Sequence, residues 1–128
     1  MMGQSQLRSP RGRVLVVDDD PAIRELLSEF LEQQNFEVRT APDGQSGLAA
    51  FDTERFDLLL VDFQMPGMTG VEMAAEVRRR NPTIPIALIT GSKDTLQAGA
   101  VARAGINRTF TKPFKLGDLA DWIASLAL

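Results

Sequence analysis

The sequence predicts a parallel α/β domain with five strands and five helices that cover both faces of the sheet. Two observations carry this expectation. From Arg13 onward, short apolar runs alternate with segments of helical period, and the alternation repeats five times. The third run, Leu58 to Val61, is apolar at every position, as a central strand buried on both faces requires. A chain of 128 residues with 44% hydrophobic content supports one buried core rather than two.

Met1 to Gly12 are polar, contain Gly3, Pro10 and Gly12, and show no apolar period. They read as a disordered leader to a domain spanning residues 13–128. Val14 to Val17 form the first strand, after which Asp20 supplies a helix cap and Pro21 the first helical position. In that first helix Ile23, Leu26, Leu27, Phe30 and Leu31 fall on one stripe, expected to face the sheet. Val38 to Ala41 is the second strand, followed by a weaker helix over Asp43 to Thr53 anchored by Leu48 and Phe51. Leu58 to Val61 is the third strand and stops abruptly at Asp62. Gly70 opens the third helix, with Val71, Met73, Ala74 and Val77 inward, and Asn81-Pro82 ends it. The fourth strand, Pro85 to Ile89, ends at Thr90-Gly91. The Ala-rich fourth helix, Thr95 to Ala104, is interrupted by Gly99 and is expected to be the weakest and most mobile. Thr109 to Thr111 is the last strand, and Leu116, Leu119, Ile123 and Leu126 mark the closing helix, with Trp122 at or beyond the edge of its inner stripe.

Composition narrows the chemistry. A net charge of −3 with no long basic run argues against direct nucleic-acid or anionic-membrane contact. The Arg78-Arg79-Arg80 run reads as a solvated helix end, where cations complement the helix dipole. With no cysteine and no histidine, thiol and imidazole nucleophiles and the usual zinc ligands are excluded. No apolar run approaches the ~20 residues needed to span a bilayer, so a cytoplasmic protein is expected.

Ligands of open parallel sheets bind beyond the carboxyl ends of the strands. The polar residues at those ends are Asp18, Asp19 and Asp20, then Asp62, Thr90 and Lys112. Two like charges ~4 Å apart at an effective dielectric of ~20 repel by about 4 kcal/mol, so this cluster implies a cation. An all-oxygen site suits Mg²⁺ or Mn²⁺ and points to phosphoryl chemistry. In that chemistry Asp62 could act as a carboxylate nucleophile, while the metal and Lys112 neutralise phosphoryl charge and Thr90 hydrogen-bonds the transferred group.

Four stretches carry a family resemblance: Val16-Val17-Asp18-Asp19-Asp20-Pro21, Leu59 through Asp62-Phe63-Gln64-Met65-Pro66 to Gly70, Ile89-Thr90-Gly91, and Thr111-Lys112-Pro113-Phe114. Over Arg13 to Leu126 the chain resembles the receiver domain of bacterial two-component response regulators, of the chemotaxis-regulator type. The resemblance implies a flavodoxin-like sheet of order 2-1-3-4-5. It implies Asp62 as phosphoacceptor, with Thr90 and Lys112 assisting. Asp18, Asp19, Asp62 and the backbone carbonyl of Gln64 would hold Mg²⁺, and the Lys112-Pro113 peptide would be cis. It further implies a sensor histidine kinase or histidine phosphotransfer protein as donor, and a downstream protein or fused effector domain as reader. The output face, also open to homodimer formation, would be the fourth helix, fifth strand and fifth helix. Such a domain reacts only on itself and is not an enzyme with turnover. The family's usual switch aromatic, three residues before the lysine, is replaced here by Thr109.

Two rival readings use the same residues. Asp18-Asp19-Asp20 mimics the Asp-x-Asp motif of haloacid dehalogenase-like phosphatases, although Ala22 departs from that pattern and Asp62 would be left without a role. The Thr109 substitution also fits a receiver-like binding module that works without phosphorylation.

Overall fold

A computed structural model describes residues 9–91 and 94–128. Strands β1 (Arg13–Val17), β2 (Glu37–Ala41), β3 (Leu58–Asp62), β4 (Ile86–Gly91) and β5 (Arg108–Lys112) alternate with helices α1 (Pro21–Gln33), α2 (Gly44–Thr53), α3 (Gly70–Arg80), α4 (Ala98–Arg103) and α5 (Leu116–Ser125). All neighbouring strands pair in parallel, in the order β2-β1-β3-β4-β5. Every residue of β3 is buried, as its unbroken apolar run demands.

Alternate strand residues feed two apolar layers, the two-residue period of a pleated strand. Leu15, Val17, Leu59, Val61, Ile86 and Leu88 pack with Met73, Ala74 and Val77 of α3. Val14, Val16, Leu58, Leu60, Ala87, Ile89 and Phe110 pack on the other side with Leu27 and Leu31 of α1 and Leu119 and Ile123 of α5. Trp122 is half-buried and joins this second layer, edge-on to Phe110 with ring centroids 6.0 Å apart. It is therefore a packing residue.

The helix starts follow their capping chemistry. The Asp20 carboxylate accepts the Ala22 N–H at 2.9 Å, with Pro21 at the first position of α1. Asp43 accepts the Ser46 N–H at 2.8 Å to cap α2. Thr69 and Glu72 form a reciprocal capping box at α3.

Three expectations need correction. Leu26 does not face the sheet; it is 48% exposed, because Leu27 and Leu31 hold the centre of the buried stripe and Leu26 lies 100° round the helix from Leu27. The fully covered residues of α2 are Gly44, Gly47 and Ala50, while the expected anchors Leu48 and Phe51 pack on the first layer but are only half-buried. A Cβ on Gly47 would lie 2.7 Å from the Met73 Cε, so the small residue is what lets α2 sit against α3 and β1. The fourth helix is shorter than Thr95 to Ala104: it covers Ala98–Arg103, has no buried residue and lacks a side-chain cap. Leu96 precedes the helix and packs on the first apolar layer instead of forming a helical turn.

Of the expected leader, residues 1–8 lie outside the described residues. Its last residues touch the connection between α1 and β2: the Arg11 N–H donates to the Asn35 carbonyl at 2.8 Å, and the Arg11 guanidinium lies 4.7 Å from the centre of the Phe36 ring. In the arginine run, Arg79 pairs with Glu76, and Arg80 with Glu76 and Asp52, as a solvated helix end would. Arg78 departs from that expectation, because its half-buried guanidinium donates to the Gly105 carbonyl at 2.6 Å and ties α3 to the turn before β5.

Gly70 links fold to site. A Cβ there would fall 2.3 Å from the Asp62 carbonyl oxygen and 2.9 Å from Leu88. The start of α3 thus rests directly on the backbone of Asp62, a contact only glycine allows. Gly70→Ala should lower the stability measured by urea unfolding by about 1–3 kcal/mol, the usual cost of overpacking. Unchanged stability would show that α3 can shift away from Asp62 freely.

Candidate functional site

Strand register assembles the site. Val17 pairs with Val61, so Asp18, the residue after β1, emerges beside Asp62 at the end of β3. Asp62 in turn pairs with Ile89, which places Thr90 one step further along β4. Gly91 pairs with Lys112, bringing the lysine at the end of β5 to the same edge. Asp18, Asp62 and Thr90 are the buried polar residues of the described chain, at 1%, 5% and 4% exposure. They line, or lie next to, an open cleft of about 850 Å³ that also includes Asp19, Asp20, Gln64, Asp94 and Lys112.

Asp18, Asp19 and Asp62 each offer a carboxylate oxygen, all within 4.8 Å of one another. The Lys112 ammonium donates to Asp62 Oδ1 at 3.0 Å and stands 3.8 Å from Asp18 Oδ2. Asp18 Oδ1 accepts the Asp20 N–H at 2.9 Å. Asp18 Oδ2 is the one buried side-chain polar atom among the described residues with no hydrogen-bond partner. A buried carboxylate oxygen without a donor costs several kcal/mol unless something satisfies it. One lysine among three carboxylates leaves negative charge uncompensated, so the donor set fits a hard divalent cation such as Mg²⁺.

Electrostatics report the same imbalance. Burial is the main reason that the Asp18 pKa rises to about 6, with the charges of Asp62 and Asp19 adding to it and the Asp20 N–H and Lys112 opposing. Asp62 is also raised by burial, with Lys112 lowering it and Asp19 and Asp94 raising it. Burial works against the Lys112 ammonium, but its hydrogen bond to Asp62 and the surrounding carboxylates outweigh this and its pKa is raised.

The structure brings Asp18, Asp19, Asp62, Gln64, Thr90 and Lys112 to one end of the sheet, and the Lys112-Pro113 peptide is cis. Asp20 is not part of the carboxylate trio. One of its carboxylate oxygens caps α1.

Two contributors were not singled out in the sequence. Arg24 donates from α1 to the Asp18 carbonyl at 2.7 Å, holding the end of β1. Asp94 accepts the Thr90 hydroxyl and the Gly91 N–H, both at 2.7 Å. The signal for Asp94 was its place four residues after Thr90 in a turn-forming stretch, since aspartate side chains readily bond nearby backbone N–H groups.

Buried acids and a lysine at the carboxyl edge of a doubly wound sheet make the kind of site that takes a hard cation or a phosphoryl group. The family described as response regulator receiver domain matches residues 14–124, and the chain belongs to it: it is a receiver domain of two-component response regulators. It is 36% identical over 109 residues to the DNA-binding response regulator MtrA of Mycolicibacterium smegmatis, an alignment covering 85% of this chain and 47% of MtrA. The chain thus spans about half the length of that relative. It superposes on the response regulator TrrA of Thermotoga maritima, solved in complex with Mg²⁺ and BeF, with a TM-score of 0.81 at 33% identity, covering 89% of this chain and 97% of TrrA. A CheY-like receiver domain from Methanospirillum hungatei gives a TM-score of 0.85 at 30% identity, covering 90% and 92% of the two chains.

Family membership leaves no support for the phosphatase reading and identifies a signalling module. It also corrects the expectation of no nucleic-acid contact. That expectation came from the charge of this chain alone, whereas relatives such as MtrA are named as DNA-binding regulators, so it does not extend to the output of a whole regulator. No helix among the described residues is long and apolar enough to cross a membrane.

The raised Asp18 pKa has a definite sign. The folded protein binds this proton more tightly than the unfolded chain, whose aspartates titrate near ~3.9. Its contribution to metal-free stability is therefore most favourable at low pH and is lost as pH rises through about 6, a change on the order of 2–3 kcal/mol. In chelator-treated protein, Asp18→Asn should gain stability over wild type between pH 5 and pH 7.5 in urea unfolding. A stability difference that does not change with pH would show that burial does not raise the proton affinity of Asp18.

Proposed function

We propose that Asp62 is the phosphoacceptor of a domain over residues 13–128, with Asp18, Asp19, Asp62 and the Gln64 carbonyl holding Mg²⁺. The observation that carries this reading is the Asp62–Lys112 contact of 3.0 Å beside the unpartnered buried oxygen of Asp18. A carboxylate oxygen of Asp62 attacks phosphorus. The bond from phosphorus to the donor breaks, its electron pair leaves with the imidazole of a phosphohistidine or with acetate, and an aspartyl phosphate forms. Lys112 follows the charge onto the phosphoryl oxygens, and the Thr90 hydroxyl donates to the same group. When bound, Mg²⁺ neutralises phosphoryl charge.

The donor is a sensor histidine kinase or a histidine phosphotransfer protein in the cytoplasm. The wall of the cleft supports this, because Ile23, the exposed Leu26, Phe114 and Leu116 extend it with an apolar surface beyond the carboxylates. Readers of the switch are a downstream protein, a fused effector domain or a second copy, meeting the face of α4, β5 and α5.

Intact mass after incubation with Mg²⁺ and acetyl phosphate tests the assignment. Wild type should gain one labile phosphoryl group, and Asp62→Ala should gain none. Labelling of both would place the acceptor elsewhere. Labelling of neither, with folding and Mg²⁺ binding intact, would favour a receiver-like module that works without phosphorylation.

A further inference from the structure

The Thr90 hydroxyl is the group expected to meet the phosphoryl oxygens, yet it is engaged elsewhere. It donates to Asp94 Oδ2 at 2.7 Å, and the same oxygen accepts the Gly91 N–H at 2.7 Å. Two donors converging on one carboxylate oxygen make a charge-assisted clamp, stronger than an ordinary hydroxyl contact. Thr90 is 4% exposed, so water does not readily compete for its hydroxyl. Asp94 also lines the cleft that holds Asp62 and Lys112, which puts a further negative charge beside the place where a phosphoryl dianion would arrive.

We propose that Asp94 is a positioning residue that withholds the Thr90 hydroxyl and thereby slows phosphoryl transfer to Asp62. The proposal rests on the reading of Asp62 as phosphoacceptor. A hydroxyl has one proton to donate. While Asp94 holds it, the proton is not available to the phosphoryl oxygens, and transfer must first break the Thr90–Asp94 bond. As the bond from phosphorus to the leaving group breaks and the bond to Asp62 forms, the hydroxyl rotates from Asp94 to a phosphoryl oxygen. Gly91, on the strand itself, keeps its N–H on Asp94, so the residue retains one partner after Thr90 has left it.

The test measures the rate of labelling by acetyl phosphate and Mg²⁺, followed by intact mass, for wild type, Asp94→Ala and Asp94→Asn. Each is compared in chains with Thr90, Thr90→Ser and Thr90→Val, and thermal melting verifies folding. Asp94→Ala should label about tenfold faster, the factor given by about 1.4 kcal/mol of barrier. Asp94→Asn, which keeps a weaker neutral acceptor and guards against a collapsed loop in the alanine variant, should accelerate less. The acceleration should persist with Thr90→Ser, which keeps the hydroxyl, and nearly vanish with Thr90→Val, which removes it. Equal rates for wild type and both Asp94 variants would overturn the inference while leaving Asp62 as acceptor. So would the same acceleration in Thr90→Val chains, since that would be a charge effect with no part for the hydroxyl. Absence of labelling in every folded chain would instead remove the phosphoacceptor reading, and this inference with it.

Discussion

The structure depends on holding three carboxylates together at the buried end of a sheet. Asp18 and Asp62 lie side by side because β1 and β3 are adjacent and in register, and both are almost without solvent. Their repulsion is relieved by a single lysine that reaches one of them at hydrogen-bonding distance and the other only at 3.8 Å. Removing charge from water is expensive, and an incompletely paired buried carboxylate keeps much of that cost. The raised pKa values of Asp18 and Asp62 are the same cost expressed as proton affinity. A site in this condition is ready to bind positive charge, and binding a ligand only in the native state turns that readiness into stability.

Such a site needs a rigid support, and the apolar layers supply it. The residues preceding the acids, Val17 and Val61, are fully buried and belong to the layer under α3. The start of α3 is pressed onto the Asp62 carbonyl through Gly70, and its capping box ties down the first turn. Arg24 holds the Asp18 carbonyl from the opposite side of the sheet. Neither acid can move out toward solvent without disturbing close-packed core, which is why the cost of burying them appears as proton affinity and not as a rearranged loop.

Much of this was legible in the sequence. The three central strands β1, β3 and β4 and the residues at their carboxyl ends could be read because a sheet covered on both faces leaves an unbroken apolar run. Each of these runs stops at Asp18, Asp62 or Thr90, whereas the edge strands β2 and β5 carry only a partial apolar signal. Asp62 after Leu58 to Val61 is the clearest case. What could not be read depended on packing between elements. Leu26 has the helical spacing of its neighbours, and only the position of α1 over the sheet decides that Leu27 and Leu31 are covered while Leu26 borders the cleft. The close approach of α2 rests on Gly47, which carries no apolar signal. Leu96 looked helical, but its burial on the first layer outweighs the weak propensity of the segment that follows.

The consequence reaches beyond the site. Thr109 pairs with Leu88 on β4 and so lies on the same side of the sheet as Thr90, where the resemblance would place an aromatic ring. The aromatic side chains of β5 and α5 are instead on the opposite side, where Phe110 packs on Phe114 and Trp122 within the layer formed by α1 and α5. A ring already closed into that layer cannot report the position of Thr90. Helix α4 has no buried residue of its own and is fastened mainly by flanking apolar residues, Leu96 before it and Ala104 and Ile106 after it. The tie from the carboxylate site toward that helix is therefore polar and local, running from Thr90 to Asp94 at the head of the segment that leads into α4. A change in what the Thr90 hydroxyl donates to would alter that tie directly, beside a helix that has no buried residue and no side-chain cap of its own.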